Sequence, residues 1–62
     1  MSNTERATLR RIREGKRLPA TLATLEAMAS LAEAGLVCVE RDPLTRSPVR
    51  WIESEAGKAV AL

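Results

Sequence analysis

The spacing of apolar residues changes at Gly35, and this change constrains the fold more than any other feature of the chain. Before Gly35 the apolar side chains recur every three to four residues; after it, Val37, Val39 and Arg41 alternate with Cys38, Glu40 and Asp42. The first spacing gathers side chains on one stripe of an α-helix, and the second sorts them between two faces of a β-strand. Helices therefore precede Gly35 and strands follow it. With 62 residues, that order leaves room for one small α+β domain spanning residues 1–62 and built of two thin layers.

The helix ends are written locally. Ser2 followed three residues later by Glu5 is a capping box, which predicts a first helix from about Asn3 to Glu14, ended by Gly15. Leu9 and Ile12, with Ala7 beside them, form its narrow apolar stripe, while Arg6, Arg10 and Arg13 share another face. A second helix is predicted to open near Pro19, whose fixed φ suits a first helical turn, and to run to Ala34. Its expected inward stripe is Leu22, Leu25, Met28 or Ala29, and Ala32, flanked by Leu18 and Leu31. A division into a short helix over Leu18 to Ala23 and another starting near Thr24 is the alternative. Gly35 as the residue just past the helix would let Leu36 pack back on Leu31.

Beyond Gly35, two prolines and three polar turn-forming residues in Asp42-Pro43-Leu44-Thr45-Arg46-Ser47-Pro48 separate two alternating runs, predicting a hairpin with a six- to seven-residue loop. Ser54 then stands as an N-cap before an alanine-rich closing helix over Glu55 to Leu62.

Side chains able to fill a core are few: eight Leu, four Val, two Ile, two Met and one Trp. No deep cofactor pocket can be walled with these. Trp51 is expected to plug the space between hairpin and helices, and Cys38 to be a buried, inert thiol. There is no histidine, no second cysteine to make a disulfide and no cluster of metal ligands; the three glycines are too scattered for a phosphate loop. Glu26 and Glu33 lie seven apart on the second helix as solvated charges. The expectation is a non-enzyme that uses no cofactor. Neither an apolar secretory core nor a membrane-length apolar run occurs in the sequence, which predicts a cytoplasmic protein.

Charge is unevenly placed. Six of the ten cations (Arg6, Arg10, Arg11, Arg13, Lys16 and Arg17) lie in the first 17 residues, against only Glu5 and Glu14, although the whole chain carries a net charge of +2. A basic end of this kind suits an anionic partner such as a nucleic-acid backbone.

Three short motifs follow in order: Leu31-Ala32-Glu33-Ala34-Gly35-Leu36-Val37, then Asp42-Pro43 with Arg46, then Ser54-Glu55-Ala56-Gly57-Lys58. Together they resemble the winged helix-turn-helix of MarR- and PadR-type bacterial or phage regulators, over about residues 18 to 60. The resemblance implies two or three helices, a two-stranded β-hairpin wing and a short C-terminal helix. It also implies binding of double-stranded DNA, as a transcriptional regulator or as a phage or mobile-element repressor or excision factor. Arg46, at the tip of the presumed wing, is the residue it assigns to the minor groove.

Around that frame, Lys16 and Arg17 would clamp a phosphate beside the second helix, with Thr21 and Thr24 at its N-terminus and Arg10 and Arg13 on the first helix. Arg41 and Arg50 would line the hairpin or pair across it with Glu40 or Glu53. The presumed recognition helix contains no Arg, Lys, Asn or Gln to read base edges; its expected exposed residues are Thr21, Thr24, Glu26, Ala27, Ser30 and Glu33. That smooth surface supports the alternative reading, a phage-encoded inhibitor of anti-defence or anti-CRISPR type that docks on a host protein or nucleoprotein complex. Homodimerisation is expected with DNA binding, through Leu9, Ile12, Val60 and Leu62 near the termini.

Overall fold

The computed structural model describes residues 1–62, in the order α1 (Asn3–Glu14), α2 (Leu22–Glu33), β1 (Val37–Arg41), β2 (Pro48–Glu53) and α3 (Glu55–Lys58). The class is small α+β, with two helices before one antiparallel hairpin and a single turn of helix after it. No helix is long and apolar enough to cross a membrane.

Local chemistry sets the element ends. At α1 the Glu5 N–H donates to Ser2 Oγ at 3.1 Å while the Ser2 N–H donates to Glu5 Oε1 at 3.3 Å, the reciprocal capping box the sequence predicts. The same ending closes both long helices. Gly15 has φ 72° and the Lys16 N–H returns to the Arg11 carbonyl at 2.8 Å; Gly35 has φ 75° and the Leu36 N–H returns to the Leu31 carbonyl at 2.9 Å. Leu36 packs against the core that holds Leu31, as its position after the second glycine predicts.

The second helix starts later than expected. Thr21, not the neighbourhood of Pro19, is its N-cap, its Oγ1 accepting from the Thr24 N–H at 3.2 Å, so Pro19 lies in the connecting segment. The helix is continuous from Leu22 to Glu33 and does not divide. Its inward face also differs from the expected stripe: Thr24, Ala27, Met28 and Leu31 are buried, whereas Leu22 and Leu25 are 71% and 65% exposed, and Ala29 and Ala32 are exposed too. Both sets recur at three-to-four spacing, but only the one containing Leu31 is turned where the Leu36 return and the start of β1 require it.

Leu9, Met28, Leu31 and Val37 form the core, with Ile12, Leu18, Leu36, Val60 and Leu62 packed around it. Leu9 is fully buried and its three companions in the expected dimer surface are spent on the same core, so that surface is not free. The closing helix is one turn rather than two. It is capped by Ser54 Oγ, which accepts from the Gly57 N–H at 3.1 Å, and beyond Lys58 the chain turns so that Val60 and Leu62 reach the core.

The hairpin pairs Val37 with Glu53, Cys38 with Ile52, Val39 with Trp51 and Glu40 with Arg50, then slips one residue so that Arg41 pairs with Pro48 and Val49 bulges. At its base Val37 is buried in the core, and the cover thins along the strands. Cys38 is consequently exposed, and Trp51, two rungs above the base, is 39% exposed and is not the expected core plug.

Candidate nucleic-acid interface

Three elements bring cations to one groove. The C-terminal end of α1 with the loop behind it supplies Arg13 and Lys16, β2 supplies Arg50, and α3 supplies Lys58; the groove between them encloses about 500 Å³ and is also lined by Ile12, Leu18, Trp51, Ile52, Glu40 and Glu53. Both of its carboxylates are already neutralised. Glu40 pairs with Arg50 across the strands at 3.3 Å, which is the cross-strand alternative expected for this arginine, and Glu53 pairs with Arg13 at 2.8 Å. Lys16 makes only a long, exposed contact of 3.4 Å with Glu14 at the end of α1, two residues before it, and Lys58 has no carboxylate partner. Exposed pairs of the Lys16 type contribute about 0–1 kcal/mol and leave the cation free to move to a phosphate.

Arg13 behaves differently from the other expected phosphate contacts. Its Nε donates to Glu53, and its Nη2 donates to the Gly57 carbonyl at 3.0 Å and the Val60 carbonyl at 2.9 Å. One guanidinium thus holds α1 to β2, α3 and the segment after it, and three of its five N–H donors are committed to the protein. Thr24 is likewise withdrawn. It is buried, and its hydroxyl bonds to Thr21 Oγ1 at 3.0 Å, so neither threonine offers a free hydroxyl in the way expected; Ala27, also expected outside, is buried.

Arg10 lies exposed on α1, and Arg17 lies exposed in the connecting segment, where its carbonyl accepts from Arg11 Nη1 at 3.3 Å. Neither enters the groove. The motif Ser54-Glu55-Ala56-Gly57-Lys58 contains Lys58, which sequence reasoning does not single out; its place in the groove goes with Gly57, which lets α3 sit close against the Leu36 carbonyl beside Glu53 of β2.

Arg46 lies in the β1–β2 loop just after its turn at residues 43–45 and is the one non-glycine residue with positive φ, 63°. An L-residue is held there only by surrounding constraints. They are evident: its N–H donates to the Asp42 carbonyl at 2.8 Å, its carbonyl accepts from Arg41 Nη1 at 3.0 Å, and the Asp42 N–H donates to the Ser47 carbonyl at 2.9 Å. Asp42 organises the same loop, its Oδ1 accepting from the Leu44 N–H at 2.8 Å and the Thr45 N–H at 3.1 Å.

Those two bonds, the Leu44 one first, hold the Asp42 carboxyl below the usual carboxylate range. Because the folded group ionises more readily than the unfolded one, its contribution to loop order is fully present above the ordinary carboxylate pKa and is lost as pH falls through the depressed one. An NMR titration should therefore show the Leu44 and Thr45 amide resonances moving together, with a midpoint below that of an exposed aspartate. A midpoint at or above it contradicts this account.

The site is thus a partly neutralised basic groove containing a half-exposed tryptophan, with a rigid arginine-bearing loop at the tip of the same hairpin. Compared with known proteins, the chain matches no family model, no curated protein and no solved structure.

Proposed function

We propose that the chain is a small DNA-binding protein of winged-helix type, a regulator or a repressor-like factor, that grips phosphates of double-stranded DNA rather than reading bases. The observation that carries this reading is the convergence of Lys16, Arg50 and Lys58, from three different elements, on one groove whose own carboxylates are already paired. The four cations lining the groove outnumber its two carboxylates, and with Arg13 and Arg50 paired to those the surplus carried by Lys16 and Lys58 suits a polyanion. Two helices followed by a hairpin with Arg46 in its loop agree with a wing laid along the duplex. The exposed surface of α2 offers Leu22, Leu25, Glu26 and Glu33 and no cation, so affinity would come from backbone contacts and shape. Binding, not catalysis, is the proposed activity.

Fluorescence anisotropy of a labelled random-sequence duplex tests this. For three phosphate contacts, the association constant should fall about 40-fold between roughly 50 and 200 mM salt. Lys16→Gln combined with Lys58→Gln should flatten that slope by about two contacts. Arg46→Gly removes the loop cation while relieving its left-handed backbone, so it should weaken binding without unfolding the loop. Absence of binding at the lower salt overturns the proposal and favours the inhibitor reading, in which the same scaffold docks on a host protein.

A further inference from the structure

The apolar character of α2 continues around the helix. Its inner face is covered by α1 and β1, but Leu22, Leu25, Ala29 and Ala32 form a second stripe on the outside with nothing over it. A helix apolar on both sides is ordinarily a buried one.

The surface area gives the same indication on a different scale. The chain exposes 4564 Å², whereas a folded monomer of its 6.8 kDa mass exposes about 4,000 Å². The excess, roughly 600 Å² against the ~800 Å² that each partner buries in a standard-size interface, is spread over the whole chain, with the leucines of this stripe among its exposed apolar residues.

We infer that α2 is the seam of a homodimer in which two copies pack antiparallel across a two-fold axis. The stripe is graded in size: both leucines lie in the N-terminal half and both alanines in the C-terminal half. An antiparallel two-fold sets Leu22 and Leu25 of one copy against Ala32 and Ala29 of the other, so each large side chain meets the small one that leaves room for it. The patch is complementary to itself, the requirement of an isologous interface. Opposed helix dipoles favour the same orientation.

Glu26 and Glu33 border the stripe on one shoulder, and the two-fold gathers those of both copies on one side of the seam. Screening relieves their mutual repulsion, so added salt tightens the dimer, whereas a partner bearing basic residues would be released by it. The inference goes beyond the DNA-binding reading and leaves the basic groove open, because the seam residues line no part of it, but it takes the outer face of α2 away from the duplex, so that DNA would be held by the groove and the hairpin alone.

Sedimentation equilibrium of the full chain, from micromolar to millimolar concentration, decides it. The expected species has twice the 6.8 kDa chain mass and associates more tightly as salt is raised. Leu25→Lys should weaken association tenfold or more, and Ala29→Leu should weaken it by filling the space the partner's leucine occupies. Both substituted residues are exposed in the single chain, so the circular dichroism of each variant should remain that of the parent. A 6.8 kDa species throughout, dimers indifferent to Leu25→Lys, or dimers that dissociate with salt would each overturn the inference.

Discussion

Gly57→Ala should remove about a third or more of the chain's stability, the most severe outcome expected of any single methyl group added to this molecule. A Cβ at residue 57 would overlap the Leu36 carbonyl oxygen and crowd its carbonyl carbon, both of them backbone atoms that no rotamer change can move aside. Relief requires α3 to back away from the segment joining α2 to β1. That withdrawal strains the bond from the Ser54 N–H to the Leu36 carbonyl, 3.0 Å, and the bond from Ser54 Oγ to the Gly35 carbonyl. Overpacking of this severity costs about 3 kcal/mol or more. A domain of this size has only about 3–9 kcal/mol in total. Gly15→Ala is the control, since nothing lies within 4 Å of its added Cβ and only the left-handed φ of 72° opposes it, a cost of about 1–2 kcal/mol. Urea denaturation followed by circular dichroism separates the two, and equal midpoints would refute the account given for Gly57.

Arg13 carries the second large effect, and its direction distinguishes a structural arginine from a phosphate contact. Arg13→Met keeps much of the apolar stem but deletes the three bonds that fasten α1 to Glu53, Gly57 and Val60. It also strands a carboxylate, because the Glu53 side chain is only 8% exposed while that of Arg13 is 33% exposed. Losing one partner of a buried pair costs about 3–5 kcal/mol; with one end this open to water, about 2 kcal/mol is expected. Arg13→Lys should recover little, since an ammonium cannot span the three acceptors as the planar guanidinium does. If Arg13 instead served DNA, Arg13→Met would leave the denaturation midpoint unchanged and lower the salt slope of binding by one contact. Measuring both on the same variant decides which role it has.

The parts of this fold that were legible in the sequence are those whose cause lies within a few residues. Ser2 with Glu5, Gly15, Gly35 and Ser54 each act on backbone groups two to five positions away, and all four mark element ends as their chemistry predicts. The turn to period two after Gly35 likewise yields β1, and the loop of residues 42–47 has the expected length. The inward face of α2 was not legible by periodicity, because two apolar stripes share one spacing. The contact between Leu31 and Leu36 contained the answer: a core that includes Leu31 must include Met28, Ala27 and Thr24 one and two turns earlier.

Arg13 gave no local signal at all. It sits among arginines of the same spacing, and what sets it apart is a set of partners 40 to 47 residues further along the chain. Trp51 and Cys38 were misplaced for a third reason. Val37 at the base of the hairpin is buried against the helices, Cys38 next to it lies exposed, and Trp51 two rungs higher is only partly covered, because a two-stranded hairpin has no second layer over its outer part.

The bulge at Val49 bears on how association ends. A two-stranded sheet has no interior strand, so each strand of the hairpin carries an outer edge with unused peptide groups, the usual template for runaway strand addition. Here that rim is interrupted: Val49 breaks the repeat, Pro48 beside it has no N–H to offer, and Arg41, Glu40 and Arg50 put charge along both strands. Growth by β-pairing is therefore obstructed at the edge that would allow it to continue without limit, and helix-to-helix pairing about a two-fold closes after two copies. A chain with so much apolar surface can in this way reach a finite assembly and avoid becoming a fibre.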